Sequence, residues 1–328
     1  MLKPEPLMQT QSMQQNPALF FSSCLLGEWI VVASHCDFIK RDTVQTKLAG
    51  HRLSLHKHDN VITVSFSEAA MQHYPVQVQQ AYGFVWLCVG IPHNPLFSLE
   101  EYGIAGARIV PCGAYAVRTS PLRGIENFLD MAHFPYIHTG ILGAEPATCV
   151  KPYKVEVRQQ VDEIWATGCF FTQPMAAPNS SQPQETEYVY RVPSPLNAIL
   201  YKVNQAAEGI LAADVVCLFI QPLGEEHIRA HLLMILDDNH SSMTDMVLFQ
   251  QKIFTQDKPM LENHLPLKLP LKDRIEIPTR ADALATAYRK WLIEKNWQYG
   301  ACQASPAGND QLTQADQPQQ NLLQSSGA

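Results

Sequence analysis

The chain is 328 residues long, 46% hydrophobic and 17% charged, with a formal net charge of −7 spread over scattered acids. Such a length buries a sizeable core, and the composition excludes a fibrous or wholly disordered chain. Sparse basic groupings such as Lys268, Lys272 and Arg274 exclude a nucleic-acid-binding stripe. No apolar run reaches the roughly 20 residues that cross a bilayer, and the first residues lack a signal peptide's apolar centre. The expectation is a cytoplasmic protein with no membrane partner. Its eight cysteines lack the regular spacing of a secreted disulfide scaffold and read as buried thiols.

In chain order, residues 1–18 are rich in Gln, Pro and Met and read as a tail. Residues 19–103 read as a small β domain, because IVVAS, TVQTKLAG, RLSLHKHDN, VITVSF and YGFVWLCVG are short apolar runs parted by turn residues. His58, Asp59 and Asn60 predict a hairpin turn. From 104 to 300 the strands lengthen and alternate better, as in YKVEVRQQVDEIWATGCFF, VVCLFIQPL and HIRAHLLMILDD, which predicts a large antiparallel sheet. Helical spacing marks residues 125–132, 243–262 and 281–295. Strand runs with separate helices predict an α+β fold. PMAAPNSSQPQE predicts a surface loop near a substrate entrance, and residues 301–328 read as a second tail.

The densest chemical signal is GIENFLDMAHFPYIHTGILG. Asn127, Asp130 and His133 are spaced by three and would lie along one side of a helix. His138 lies five beyond His133, about 140° further round; Pro135 predicts an end or bend that swings it back. Two imidazoles and one carboxylate on a single face of Fe(II) leave open positions for oxygen and substrate. Spacing alone leaves open a pair of core or surface histidines bonded to their neighbours.

The complete run, N-x-x-D-x-x-H-x4-H followed by TGILG, resembles the mononuclear-iron motif of the Rieske non-haem iron oxygenase large subunits. The resemblance implies that His133 and His138 are iron ligands, that Asp130 links the iron to an electron-delivering cluster, and that Asn127 lies beside the iron. IFTQDKPMLENHLPLKLPL is similar to the family's late helix, which implies Asp257 as the third ligand and matches Glu262 to a following glutamate. His264 stands near where many relatives have Gln. IPTRADALATAYRKWLIEK is similar to the C-terminal helix of the vanillate demethylase branch. A helix-grip catalytic domain, an antiparallel sheet around long helices, is the implied fold for 104–300.

A Rieske cluster takes two Cys and two His, in C-x-H and C-x2-H pairs. None of Cys24, Cys36, Cys88, Cys112, Cys149, Cys169, Cys217 and Cys302 is followed by His at either spacing, so no 2Fe-2S cluster is expected in this chain. His51, His56 and His58 then read as strand and turn residues. TVQTKLAGHRLSLHKHDNVITV and HYPVQVQQAYGFVWLCVG nevertheless resemble the first and last strands of a Rieske domain, which implies a degenerate one over 19–103. This truncated plan is similar to the cluster-less component of bacterial methylxanthine N-demethylase systems.

The resemblance implies a monooxygenase performing oxidative N- or O-demethylation with Fe(2+) and O2 on a small aromatic or methylated purine, N7-demethylation of a methylxanthine being the candidate reaction. Electrons would come from NAD(P)H through a Rieske-bearing reductase or a cluster-bearing oxygenase subunit. Family members are usually trimers, so a trimer or mixed hetero-oligomer is expected. Two other readings stay open: a non-catalytic subunit of a hetero-oligomer, and a ligand-binding module on the same fold. Ring hydroxylation or dioxygenation is the other enzymatic outcome.

Overall fold

Alternation builds the first third of the chain into strands: in TVQTKL, Val44, Thr46 and Leu48 turn inward while their neighbours stay wet. In the computed structural model, residues 21–175, 182–203, 210–238, 240–272 and 275–302 are described. The expected N-terminal tail, the middle of the 174–185 loop and nearly all of the expected C-terminal tail lie outside them. Ala301 and Cys302, placed in that tail by the sequence reading, instead pair with Leu269.

Six strands come first: β1 (Trp29–Ser34), β2 (Thr43–Leu48), β3 (His51–His58), β4 (Val61–Phe66), β5 (Val76–Ala81) and β6 (Phe84–Val89). They form two antiparallel three-stranded sheets, β1-β6-β5 and β2-β3-β4. The predicted hairpin turn joins β3 to β4, with Asp59 at a φ of 53°. His51, His56 and His58 lie on β3.

Next come β7 (Arg108–Val117), the helices α1 (Pro121–Leu129) and α2 (Phe134–Ile137), and β8 (Lys154–Arg158), β9 (Glu163–Gln173), β10 (Gln184–Ser194), β11 (Asn197–Val203), β12 (Ala213–Gly224) and β13 (His227–Leu236). The helices α3 (Met243–Asn263) and α4 (Ala283–Glu294) follow. All seven later strands form one antiparallel sheet, ordered β7-β13-β12-β11-β10-β9-β8. The fold is α+β. No helix among the described residues is long and apolar enough to cross a membrane.

This sheet is covered on both faces, which is why VVCLFI and LLMIL are unbroken apolar runs. Leu218, Ile220, Leu232 and Met234 join the core under the helices. Their alternates Cys217, Phe219, Leu233 and Ile235 pack with Trp29, Val31, Phe84 and Trp86 of the small sheet.

On the helix side, Ser120 caps α1 by accepting from Arg123 N, and Pro121 occupies its first turn, where no N–H is needed. Arg123 is only 2% exposed and pairs with Glu126 and Glu276; Arg289 of α4 pairs with the same two acids. A guanidinium so buried is tolerable because its charge is matched. This four-residue network ties α1 to α4 and to the segment between α3 and α4.

On the opposite face a neutral chain joins the two parts. Gln221 Nε2 donates to Thr46 Oγ1 (2.7 Å) and Lys47 O (2.8 Å), and its Oε1 lies 3.1 Å from His231 Nε2. Burial, aided by Arg229, pushes the His231 imidazole down to about 3, so it folds uncharged. In the unfolded chain it takes up a proton below about pH 6.5. Its contribution to stability is therefore lost progressively as pH falls from about 6.5 toward 3. Urea unfolding should show His231→Phe losing about 2 kcal/mol less than the parent between pH 7 and pH 5. Its stability at pH 7 should be lower, because Gln221 Oε1 loses its donor. Equal pH slopes in the two proteins would remove His231 as the acid-sensitive group.

Candidate metal centre

The motif at 127–138 does not form the continuous helix that its spacing predicts. α1 stops at Leu129, and Asp130 caps it in extended conformation, with φ −88° and ψ 124°. The reason is local competition: Asp130 Oδ1 accepts from Ala132 N at 2.7 Å and closes a side-chain turn in place of the next helical turn. His133 then opens the one-turn helix α2 and His138 closes it. Pro135 is harmless at the second position of so short a helix. Asn127, Asp130 and His133 thus do not share one helix face. The bend places Asp130 Oδ2 3.1 Å from His133 Nδ1.

After His138 the chain turns back on itself, with Gly140 at a φ of 78°. A Cβ on Gly143 would lie 2.7 Å from Pro135 N and 2.8 Å from Phe171. The glycine in the TGILG turn is therefore required by close approach to α2.

The third predicted residue arrives from far along the chain. Asp257 of α3 lies with Oδ1 3.0 Å from His138 Nε2 and 3.4 Å from His133 Nε2. The ligand atoms of these three residues all fall within 4.8 Å of one another. His138 is 1% exposed and Asp257 8%. Each histidine has its outer nitrogen engaged: His133 Nδ1 donates to the Asp130 carboxylate, and His138 Nδ1 lies 3.0 Å from Gln256 Oε1. Both Nε2 atoms are left facing Asp257 Oδ1, which is buried and meets no hydrogen-bond geometry.

Burial disfavours charge on His133, but the Asp130 and Asp257 carboxylates outweigh it and raise the imidazole to about 9. Burial likewise works against the Asp257 carboxylate, yet the two histidines hold it down to about 2. A metal bound here would have to displace that proton, because a ligating imidazole is neutral. Two imidazoles and one carboxylate suit divalent iron, with coordination positions left over.

A cavity of about 170 Å³ opens beside the three residues, between the sheet and α3. Its walls are mostly apolar, with Phe128, Leu200, Val216, Met234 and Phe254 among them. Asn127 is in the wall. Gln173 and Tyr190 line it too, and their Oε1 and hydroxyl are buried without hydrogen-bond partners.

Two residues of the late-helix resemblance stand elsewhere. Glu262 Oε1 accepts from Arg118 N and anchors the end of α3 to the end of β7, while His264 pairs with Glu276. Gln256 was missed by the sequence reading; its one available signal was its place next to Asp257. The approach of Gly143 to Pro135 had no signal beyond the small turn itself.

Comparison with known proteins gives the family and the fold. Residues 117–295 match the vanillate O-demethylase oxygenase C-terminal domain. The chain is 37% identical over 279 residues to a "probable methylxanthine N7-demethylase NdmC" of Pseudomonas sp. (strain TJI-51), covering 85% of this chain and 97% of the relative. It is 26% identical to the methylxanthine N1-demethylase NdmA of Pseudomonas putida, over 66% of this chain and 59% of that protein. Among solved structures, Pseudomonas putida CBB5 NdmA with caffeine superposes with a TM-score of 0.66 at 18% identity, covering 82% of this chain and 90% of that one. Dicamba monooxygenase bound to 3,6-dichlorosalicylic acid superposes with a TM-score of 0.61 at 12% identity, over 84% of this chain and 99% of that one.

The contact between the turn after His138 and α2 is open to a direct check. Gly143→Ala should cost about 1–3 kcal/mol in chemical denaturation, because Pro135 backbone atoms cannot yield as a flexible side chain would. Unchanged stability would show that the turn moves away freely.

Proposed function

We propose that this chain, which belongs to the vanillate O-demethylase oxygenase family, removes the N7-methyl group of a methylxanthine with electrons from a separate Rieske-bearing partner. Members of the family are Rieske-type oxygenases with mononuclear non-haem iron, and the chain is an oxidative demethylase of that kind. The position attacked and the partner are the proposal's own, and the name of the 37%-identical relative supports the first. The observation that carries the reading is the set His133, His138 and Asp257 facing a mostly apolar cavity.

His133, His138 and Asp257 would hold the iron. Bound there, iron supplies oxygen activation at a methyl C–H bond: the N-methyl group, dioxygen, two electrons and two protons become an N–H group, formaldehyde and water. This chain's residues do the rest. Asp130 and Gln256 fix both imidazoles through their outer nitrogens. The aromatic and aliphatic walls hold a flat ring and keep bulk water from its reacting edge. Gln173 Oε1 and the Tyr190 hydroxyl offer hydrogen bonds to polar ring atoms. Residues 19–103 are taken as a degenerate Rieske-like domain without cluster ligands, and 104–300 as the catalytic domain.

The direct test combines metal analysis with product analysis. Anaerobically purified protein should carry about one iron per chain and no acid-labile sulfide, and His133→Ala should lose the iron. Given a Rieske-bearing reductase of the methylxanthine-demethylase type, it should release formaldehyde from 7-methylxanthine. Full iron with no formaldehyde from any N-methyl position would overturn the demethylase assignment to purines.

Asp130 is proposed to pass electrons as well as to orient His133. At saturating iron, Asp130→Asn should slow turnover driven by the partner about tenfold or more while sparing turnover driven by a small-molecule reductant. Equal loss with both electron sources would restrict Asp130 to holding His133.

A further inference from the structure

Three charged side chains lining the cavity, Lys202, Asp214 and Asp238, have no part in the iron-binding set. Strand register lays out the cavity floor in two rows. Tyr190 pairs with Leu200, Leu200 with Val216 and Val216 with Met234, which gives a row that is apolar but for one hydroxyl. Two residues along each strand, on the same face, Tyr188 pairs with Lys202 and Lys202 with Asp214. Lys202 is the one lysine or arginine lining the cavity among the described residues.

The second row starts beside the centre and leads away from it. Tyr188 touches Phe134, which packs on both His133 and His138. Asp214 lies two strand spacings, about 10 Å, from Tyr188. Along the roof, α3 runs from Asp257 at the centre back to Met246, about 16 Å at 1.5 Å per residue. A flat bicyclic ring with one edge at the centre would therefore bring its far edge to Lys202.

We infer that Lys202, braced by Asp214, reads a ring carbonyl oxygen on the substrate edge away from the reacting methyl group, and so selects neutral heterocyclic carbonyls over aromatic carboxylates. This rests on the methylated-purine reading and deepens it. The reasoning is electrostatic. Burial pulls the Lys202 ammonium below the usual lysine range, and Asp214 works against that. A buried ammonium makes a strong hydrogen bond to an acceptor oxygen. The pair as a whole is neutral, and Asp238 also lines this part of the cavity. A carboxylate would gain Lys202 only in the company of Asp214 and Asp238, whose like charge opposes it. A neutral carbonyl meets no such opposition. Asp214 is itself held by the Asp237 N–H, 2.9 Å from its Oδ1, so the brace is fixed from the adjoining turn.

The test is calorimetric binding to iron-loaded protein without oxygen, using 7-methylxanthine, 7-methylpurine, which lacks both carbonyls, and 4-methoxybenzoate. The parent should bind 7-methylxanthine at least about tenfold more tightly than 7-methylpurine, as one charge-assisted hydrogen bond implies. Lys202→Met should bring the two within about twofold, with iron content unchanged. Asp214→Asn, which keeps an acceptor for Asp237 N, should strengthen 4-methoxybenzoate binding about tenfold by removing one negative charge beside Lys202. If Lys202→Met keeps the full preference for 7-methylxanthine, or Asp214→Asn gains nothing for the benzoate, the inference is overturned while the purine reading stands. If the parent binds the benzoate and neither purine, the purine reading falls and the inference with it.

Discussion

Three lone-pair donors are brought face to face in a nearly dry site, and much of the catalytic half is arranged to keep them there. Left alone, two imidazole nitrogens and a carboxylate oxygen would each turn toward water or toward a donor. They cannot, because the other nitrogen of each ring is engaged, by Asp130 for His133 and by Gln256 for His138. The carboxylate is fixed by its place on α3, one residue after Gln256. A single stretch of helix therefore supplies both the third donor and the brace for the second, which makes its register against α2 the critical dimension of the site.

That register is held at some distance. Glu262 takes the backbone N–H of Arg118, and Lys258 donates to Ala116 O, so the last turns of α3 are pinned to the end of β7. The same strand end leads through Ser120 into α1, whose exit sets Asp130. Arg123 and Arg289, sharing Glu126 and Glu276, lock α1 to α4. Buried ion pairs of this kind add little net stability over apolar packing, but breaking one partner is expensive. Their value here is positional: each member has few alternative partners, so the helices cannot slide.

How far the sequence disclosed this arrangement depends on the range of the interaction. Period-two alternation located β2 and β3; β12 and β13 were read as alternating strands too, whereas both of their faces are covered, so apolar residues occupy both. The helices near 243–262 and 281–295 emerge close to their expected bounds. The helix expected at 125–132 does not, because an aspartate side chain capturing Ala132 N–H is a local event that apolar spacing does not record. His133 and His138 were legible as a pair because they are close in sequence. Asp257 was reached only through resemblance, and Gln256, 118 residues from the histidine it braces, is defined by packing between elements that no local window contains.

The centre also lies between a cavity and partly exposed side chains, and this bears on how substrate and electrons could reach it. On one side is the apolar cavity, closed over by α3. On the other, the Asp130 side chain is 29% exposed and Tyr136, between the two histidines, is 62% exposed, whereas His138 is almost wholly covered. Neither Asp130 nor Tyr136 is among the cavity's lining residues, so a ligand in the cavity leaves both uncovered. Asp130 spans the two sides, with one oxygen closing the turn and the other on His133. Substrate binding and electron supply thus make separate demands on the site: the cavity walls serve the first, and Asp130, partly exposed and bonded to His133, serves the second under the proposed function.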